Sequence, residues 1–359
     1  MDINKKINTL KRKFDISKYP KNGNVIIVLV PFSNVINGGH LSIANIYHTL
    51  KRHYNLHHST VLLSYLFLTN TPNHTHFTEF KNNAFIQDLR TILSHFKSFN
   101  SLQFYIPESY IRFFVNEYHN FWPKHFKDKL ICASKLSFNI LNQNDEYMNL
   151  NDIEDLRNIS TNITMTLAHK QYTTKEKRNK YNVPIHHLSA WLNDGKYEKK
   201  HFKDKENIIL YSPDEVKHQS GIKNEIITKV KENFPSYQVI QIKDFSYEKY
   251  KNLISKAKFM LTFGEGLDGY FIENTFCGGV SFAVYNEVFF TPNYKNLSTT
   301  YNSYNEMKDK IVEHINYLDN EKTFEKTNNE ILCEIEKEYS FEIFENKLIN
   351  FLKGNLDYL

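Results

Sequence analysis

The sequence predicts an α/β protein with two domains of similar size. The chain has 359 residues, enough for two domains of roughly 150–200 residues each. Apolar runs of strand length alternate with segments of helical periodicity along most of it. The content of 41% apolar and 15% aromatic residues supplies two cores, and together with 24% charged residues it excludes a mainly disordered chain.

The first half of the chain alternates strands and helices. Strands are expected at Asn24–Phe32, near Val61–Phe67, at Ser101–Pro107, around Leu130–Ala133 and at Asn162–Ala168. Helices are expected from the first turn through Leu50, near Phe77–Phe96 and over Ser109–Phe121. The polar stretch Asn142–Asn158 is expected to be irregular or helical.

The second half repeats this order more regularly. Strands are expected at Asn207–Pro213, Tyr237–Asp244, Lys258–Gly264 and Val280–Asn286. Helices are expected at Ile222–Phe234, Tyr247–Ala257 and Gly269–Phe276, and the pattern is almost wholly helical after Tyr301. Strands alternating with helices imply parallel sheets. We therefore expect two Rossmann-like domains facing each other across a cleft, with a helical C-terminal segment.

The charged stretch Leu192–Glu206 contains a glycine and has no apolar periodicity, which is typical of a linker. It divides the chain into an N-terminal domain over 1–195, a linker over 196–206 and a C-terminal domain over 207–340. Residues 341–359 are expected to form a C-terminal helix that packs back on the N-terminal domain.

Composition narrows the class of protein further. The three cysteines are far apart and have no metal-type spacing, which argues against a disulfide framework and a zinc ribbon. A formal charge of +5 is too small for a typical nucleic-acid binder. The N-terminus lacks the apolar core of a secretory signal, and the longest apolar runs are too short to span a bilayer. We expect a cytoplasmic protein whose lysine-rich N-terminus is either a solvated tail or a contact with anionic phospholipid.

The segment Phe263–Phe282 carries the most specific pattern in the chain. A buried strand ends at Gly264, and a short turn with Glu265 and Gly266 leads directly into a helix that begins near Gly269. Glycines in such a turn let the backbone approach a ligand, and the start of the helix favours an anion such as phosphate. Carboxylates suit adjacent hydroxyl groups. The spacing alone is equally compatible with a βα turn that carries two solvated glutamates.

Glu265 and Glu273, followed by Gly278–Gly279, resemble the E-x7-E signature of retaining GT-B glycosyltransferases of the family-4-like group. The resemblance implies that the C-terminal domain binds a nucleotide-diphospho-sugar. Glu265 would act in catalysis by contacting hydroxyls of the transferred sugar, and Glu273 would bind the ribose. The residues of the turn would lie against the diphosphate or the sugar; these are Gly266, Leu267, Asp268 and Gly269.

The sequence departs from the family pattern where the diphosphate would bind. The family has an arginine after the first strand of this domain, but here the strand runs into Tyr211-Ser212-Pro213. Lys217, or Lys223 at the opening of the next helix, is the candidate for neutralising the diphosphate. The alternative for Lys217 is an ordinary solvated lysine.

Three further candidates lie in the N-terminal domain. Gly38 and Gly39 resemble the family's glycine-rich loop, although an ordinary tight turn fits equally well. His169 ends an apolar strand and is our choice for the family's donor-sugar histidine, with His119 as its rival; a structural histidine is the alternative. Arg178 is a candidate phosphate or acceptor contact.

These observations predict a glycosyltransferase that uses a nucleotide-sugar donor and no cofactor or catalytic metal. By resemblance, the N-terminal domain is on the acceptor side, the reaction retains the anomeric configuration, and the leaving diphosphate takes the acceptor's proton. The resemblance also implies a saccharide or lipid-linked acceptor in bacterial surface polysaccharide synthesis, with peripheral contact at the inner membrane and no nucleic-acid partner. The alternatives are a GT-B-shaped sugar-nucleotide epimerase or phosphorylase, and a non-catalytic binding subunit.

Overall fold

A computed structural model describes residues 16–31, 38–53, 59–65, 86–190 and 198–359 of the chain. These residues form two compact units. The first unit holds the described residues up to Ala190 together with Glu345–Leu359, and the second holds those from 198 to Phe344. The first unit is therefore discontinuous along the chain.

The first unit is built on one parallel seven-stranded sheet. Its strands are β1 (Asn22–Val30), β2 (Ser59–Tyr65), β3 (Ile86–Gln87), β4 (Ser98–Pro107), β5 (Leu136–Asn142), β6 (Ile163–Leu167) and β7 (Ile185–His187). Their order is β3-β2-β1-β4-β5-β6-β7, and every neighbouring pair is parallel. The order reverses between β1 and β4, and ligands of such sheets bind outside the carboxyl ends of the strands at this point.

Helices connect these strands within the first unit. They are α1 (Gly38–Arg52), α2 (Leu89–His95), α3 (Ile111–Asn120), α4 (Lys124–Ile131), α5 (Leu150–Arg157) and α6 (Lys175–Tyr181). The strand expected around Leu130–Ala133 is wrong, because α4 occupies that stretch and buries Phe126 and Leu130 at helical spacing. The first part of the helix expected near Phe77–Phe96 lies outside the described residues. Within the described part the prediction is wrong at Ile86–Gln87, which form β3, and α2 forms the end of the expected helix.

The second unit is built on a parallel five-stranded sheet. Its strands are β8 (Glu206–Tyr211), β9 (Gln238–Gln241), β10 (Ala257–Leu261), β11 (Val280–Val284) and β12 (Thr300–Tyr301). The order is β12-β11-β10-β8-β9, with parallel pairing throughout. The helices are α7 (Ile222–Asn233), α8 (Tyr247–Lys256), α9 (Gly269–Phe276), α10 (Tyr304–Leu318) and α11 (Glu321–Tyr339). A last helix, α12 (Phe341–Leu352), begins in the second unit and continues into the first. The order reverses between β8 and β10, so the turns after these two strands flank the ligand-binding edge.

The central strands explain why apolar runs identified both sheets in the sequence. Val25–Val30 of β1 and all five residues of β10 are buried. Strands covered by helices on both faces show continuous apolar runs rather than alternation. Among the described residues, no helix is long and apolar enough to cross a membrane.

The stretch expected to be a linker packs against the second unit where it is described. Lys205 is 7% exposed, and its ammonium group donates to the carbonyl of Ala257 at 3.0 Å and to that of Ser255 at 3.3 Å. The backbone N–H of Lys200 donates to the carbonyl of Cys277 at 3.0 Å. The charged side chain of Lys205 therefore holds this stretch against the second unit. The strand β8 begins at Glu206.

The end of the chain belongs to the first unit. The predicted helical C-terminal segment is confirmed, but α12 ends at Leu352 and the residues after it are not helical. Tyr358 pairs with Ile185 of β7 in an antiparallel bridge, with N–O distances of 2.9 and 3.1 Å. Asp357 accepts the backbone N–H of His187 at 2.6 Å and lies 3.0 Å from Nδ1 of His186.

Candidate functional site

The turn between β10 and α9 lies at the ligand-binding edge of the second sheet and holds most of the predicted site residues. Thr262 fixes the shape of this turn, because its buried hydroxyl donates to the carbonyl of Gly266 at 2.7 Å. Ser212, at the end of β8, accepts the backbone N–H of Phe263 at 3.0 Å. The turns after β8 and β10 are therefore joined directly.

Gly266 is required by both conformation and space. Its φ of +79° is a value that L-residues rarely adopt. A Cβ at this position would lie 2.8 Å from a ring carbon of Phe290 and 2.8 Å from the carbonyl oxygen of Val284. The glycine thus permits a close approach between the turn and neighbouring protein, in addition to any ligand.

Asp268 directly precedes α9 and caps its N-terminus. Its Oδ1 accepts the backbone N–H of Phe271 at 3.0 Å, as an N-cap does. Its Oδ2 is buried without a hydrogen-bond partner among the described residues. Burial raises the pKa of Asp268 well above its usual range, and the charges of Asp214 and Glu265 raise it further. Leu267 is 1% exposed, so the residue as a whole packs inside the protein.

Glu273 lies one turn into α9 and is buried in a polar cluster. Its Oε2 is 3.1 Å from the ammonium group of Lys251, which α8 supplies. The hydroxyl of Tyr250, also on α8, hydrogen-bonds to the same carboxylate; burial and this charge raise the pKa of Tyr250 well above its usual value. The sequence did not identify Lys251 or Tyr250, because they lie in a different helix that precedes β10.

The two predicted lysines occupy different environments. Lys223, in the first turn of α7, is 4% exposed, and its ammonium group donates to the carbonyls of Pro213 and Asp214 at 2.8 Å each. Glu215 is a third acceptor at 3.3 Å. A lysine ammonium has three N–H groups, so a diphosphate would have to displace one of these partners. Lys217 is exposed in the turn after β8. Contact of either lysine with a diphosphate stays a prediction.

Acidic groups dominate the electrostatics around the turn. Asp214, Asp268 and Glu273 all act to raise the pKa of Tyr270, whose largest cause of shift is burial. Glu265 is partly exposed in the turn itself. Such a surface favours hydroxyl donors. A bound anion would depend on backbone N–H groups at the start of α9, which begins at Gly269, and on lysines nearby.

Three of the predicted residues of the first unit, Gly38, Gly39 and His169, lie in the connections that follow β1 and β6. Gly38 and Gly39 open α1, whereas the loop before them lies outside the described residues. His169 follows β6; its ring packs edge-on against Tyr172 at 5.3 Å, and burial lowers its pKa to about 4, so the imidazole is neutral near pH 7. Its rival His119 is exposed on α3.

The side chain of Arg178 makes a hydrogen bond within the protein. Its Nε donates to the backbone oxygen of Leu359 at 2.7 Å, which helps to hold the end of the chain against β7. A role in binding phosphate or acceptor stays a prediction.

Sequence reasoning also missed Glu108, a buried acid directly after β4. The available signal was an acidic residue at the end of a predicted strand. Among the described residues, no group of three or more histidine, cysteine, aspartate or glutamate side chains is arranged to hold a metal ion.

Solved structures share the fold of this chain. The Anabaena protein HepE in complex with UDP-glucose is 9% identical over 92% of this chain and 99% of its own, with a TM-score of 0.58. An α-glucosyltransferase in complex with UDP and a 13-mer DNA is 11% identical over 92% of this chain and 100% of its own, with a TM-score of 0.58. The UDP-GlcNAc 2-epimerase from Neisseria meningitidis bound to UDP-GlcNAc is 11% identical over 92% and 100%, with a TM-score of 0.54.

No family model matches the sequence, and no curated protein matches it significantly. Identities near 10% are informative about architecture rather than activity. The expected α/β fold with two parallel sheets is confirmed, and the chain has the GT-B fold.

Proposed function

We propose that the protein is a glycosyltransferase that transfers a sugar from a nucleotide-diphospho-sugar to a saccharide or lipid-linked acceptor. The observation that carries this proposal is the position of Glu273. It is a buried carboxylate one helical turn beyond a glycine turn, at the ligand-binding edge of the second sheet. Similar folds are seen in solved proteins bound to UDP or UDP-sugars.

Each group at this edge has a role that its chemistry supports. Glu273 accepts hydrogen bonds from the ribose hydroxyls, and Lys251, whose ammonium group lies 3.1 Å from Oε2, orients this carboxylate. Glu265, partly exposed in the turn, accepts hydrogen bonds from hydroxyls of the transferred sugar. The backbone from Gly266 to Gly269 receives the diphosphate, and Lys217 supplies positive charge to it. We keep His169, whose imidazole is neutral near pH 7, as the candidate for hydrogen-bonding the sugar.

The resemblance to the retaining GT-B group supports retention of the anomeric configuration and a reaction without a catalytic metal. The biological setting that fits is assembly of a bacterial surface polysaccharide in the cytoplasm, at the inner membrane face. NMR of the product anomer tests retention directly. Turnover in the presence of EDTA tests metal independence.

Titration calorimetry with UDP, GDP and TDP, and with the nucleotide-diphospho-glucose of each, tests the donor site. We expect one nucleotide to bind, and Glu273→Gln to weaken that binding about tenfold to a hundredfold, the contribution of a charge-assisted hydrogen bond or two. Glu265→Gln is the matched control: it should leave affinity for the bare nucleotide nearly unchanged while lowering turnover. Equal nucleotide binding by the wild type and Glu273→Gln contradicts the assignment of Glu273.

A sugar-nucleotide epimerase is the second candidate, because one of the solved structures with this fold is an epimerase. The two activities differ in their need for an acceptor. An epimerase converts the donor sugar alone, which NMR of the nucleotide-sugar detects, whereas a transferase releases nucleoside diphosphate in proportion to acceptor. A chain that binds no nucleotide in either assay would be a non-catalytic subunit.

A further inference from the structure

Asp268 has a carboxyl oxygen that the capping of α9 does not use. Its Oδ1 accepts the backbone N–H of Phe271 at 3.0 Å, which is the contact that an N-cap needs. Its Oδ2 is buried and has no hydrogen-bond partner among the described residues. A buried polar atom without a partner is costly, so its presence calls for an explanation.

The groups that face Asp268 are acids and tyrosines of the second unit. Asp214, in the turn after β8, and Glu265, in the turn after β10, are the charged groups with the largest effect on its carboxyl group. The carboxyl group also interacts electrostatically with the hydroxyls of three tyrosines on different helices; these are Tyr250 of α8, Tyr270 of α9 and Tyr304 of α10. None of these five groups carries a positive charge.

The turns after β8 and β10 hold the acids close together. A Cβ at Gly264 would lie only 3.2 Å from the Cβ of Asp214. An ionised Asp268 would add another negative charge beside Asp214 and Glu265, and like charges favour the neutral form of an acid. Burial, followed by these two charges, raises the pKa of Asp268 well above its usual range.

A neutral acid at the start of α9 changes what this edge offers to a ligand. The protonated group carries an O–H that donates, whereas an ionised carboxylate can only accept. Because Oδ1 already accepts the N–H of Phe271, the proton belongs on Oδ2. Oδ2–H is then a buried donor that lacks an acceptor, and a phosphate oxygen is a strong one. Lys223, the buried lysine nearby, already donates to two carbonyls and to Glu215.

We propose that Asp268 binds the donor as a neutral acid, and that its Oδ2–H donates a hydrogen bond to an oxygen of the diphosphate. The inference rests on the proposed donor site in the second unit. A bound diphosphate raises the pKa of Asp268 further, so binding takes up a proton from solvent whenever Asp268 is ionised in the free protein. Affinity is therefore highest at low pH and falls as the pH rises through the raised pKa.

Titration calorimetry between pH 5.5 and pH 8.5 tests this role without knowledge of the acceptor. The probes are UDP-glucose, GDP-glucose and TDP-glucose, because their diphosphate carries the same charge across this range. We expect the wild-type Kd to rise with pH, by up to about tenfold for each pH unit. Uptake of up to one proton per ligand should appear at pH 7.5 as a difference in binding heat between Tris and HEPES buffers.

Asp268→Asn is the decisive variant, because it stays neutral at every pH. Its side-chain oxygen can still cap α9, and its amide can still donate. We expect it to bind about as tightly as the wild type does at pH 5.5, with a constant Kd and no proton uptake. Asp268→Ala lacks the donor and should weaken binding at pH 5.5 about tenfold to a hundredfold. His218→Gln, at an exposed position after β8, is the matched control and should keep the wild-type pH dependence.

Three results overturn the proposal. The first is a wild-type Kd that stays constant over this pH range. The second is a Kd that falls as pH rises, which would mean that an ionised Asp268 accepts a hydrogen bond from the sugar. The third is binding by Asp268→Asn as weak as that of Asp268→Ala. Each of these, with clear binding of a probe, rejects only the role of Asp268, whereas no binding of any probe by the wild type rejects the proposed donor site as well.

Discussion

The ammonium group of Lys251 lies 3.1 Å from Oε2 of Glu273, and the two side chains are 17% and 4% exposed. This pair joins α8 to α9 beside the candidate donor site. Because a ligand that binds Glu273 meets a carboxylate already paired with a lysine, the site is preorganised. A ribose would share the carboxylate with Lys251 and with the Tyr250 hydroxyl.

Replacing one residue of this pair should lower the free energy of unfolding more than replacing both. Lys251→Met leaves the Glu273 carboxylate buried and uncompensated, and we expect it to lower the free energy of unfolding by about 3 kcal/mol. The double variant Lys251→Met, Glu273→Gln should recover most of that loss. Urea unfolding at pH 7 measures both. Lys249→Met, at an exposed position of the same helix, is the control; additive effects of the two substitutions contradict the coupling.

Gly266→Ala should destabilise the second unit through two separate effects. A φ of +79° costs an L-residue about 1–2 kcal/mol, and the contact with Phe290 and Val284 adds an overpacking cost of about 1–3 kcal/mol. Gly354→Ala isolates the first effect, since its φ is +81° and nothing lies within 4 Å of the added methyl group. Thermal unfolding compares the two variants. Equal losses would show that the turn relaxes around the methyl group.

Glu108 should make the protein less stable as pH rises. Its pKa is about 7 in the folded chain against 4.5 unperturbed, so between these values the folded state binds more protons than the unfolded state. Stability therefore falls from pH 4.5 to pH 7 and is level above, by roughly 3 kcal/mol in total. Glu108→Gln removes this contribution, so its stability relative to wild type should increase between pH 5 and pH 8. Denaturant unfolding at both pH values checks this; a constant difference would contradict it.

Asn328 should be needed to hold the end of α9. Its side-chain amide, fully buried on α11, donates to the carbonyls of Thr275 at 3.0 Å and Gly279 at 2.7 Å. Asn328→Ala leaves two buried carbonyls without this donor, which we expect to cost about 2 kcal/mol. Its neighbour Asn329 is exposed and contacts only Lys199 among the hydrogen bonds described here, so Asn329→Ala should change stability by less than about 0.5 kcal/mol. Urea unfolding of both variants tests the difference.

Sequence reasoning worked where structure is dictated by neighbours along the chain. The apolar runs in β1 and β10 are covered on both faces, and the glycine turn with its following helix is local, so both were predictable. Leu130–Ala133 was read as a strand because a short apolar stretch fits either structure. The burial of Phe126 together with Leu130, four residues apart, shows that this stretch is helical.

The side-chain partners were beyond reach because they come from distant parts of the chain. Glu273 is paired from α8 across β10, and Arg178 contacts Leu359, 181 residues further on. The ammonium group of Lys223 donates to the carbonyls of Pro213 and Asp214, partners that the sequence did not predict, and its contact with a diphosphate stays a prediction. No periodicity in the sequence encodes which acceptor a lysine will choose.

The antiparallel bridge between Tyr358 and Ile185 has a consequence for the order in which the protein matures. During translation, β7 is made well before the segment that covers its edge, and the whole second unit is synthesised in between. Until then the edge of the first sheet at β7 is not covered by this segment, and strands of other chains can pair with such an edge. The second unit can finish folding first, and the edge of the first is covered only by residues that are synthesised after the whole second unit.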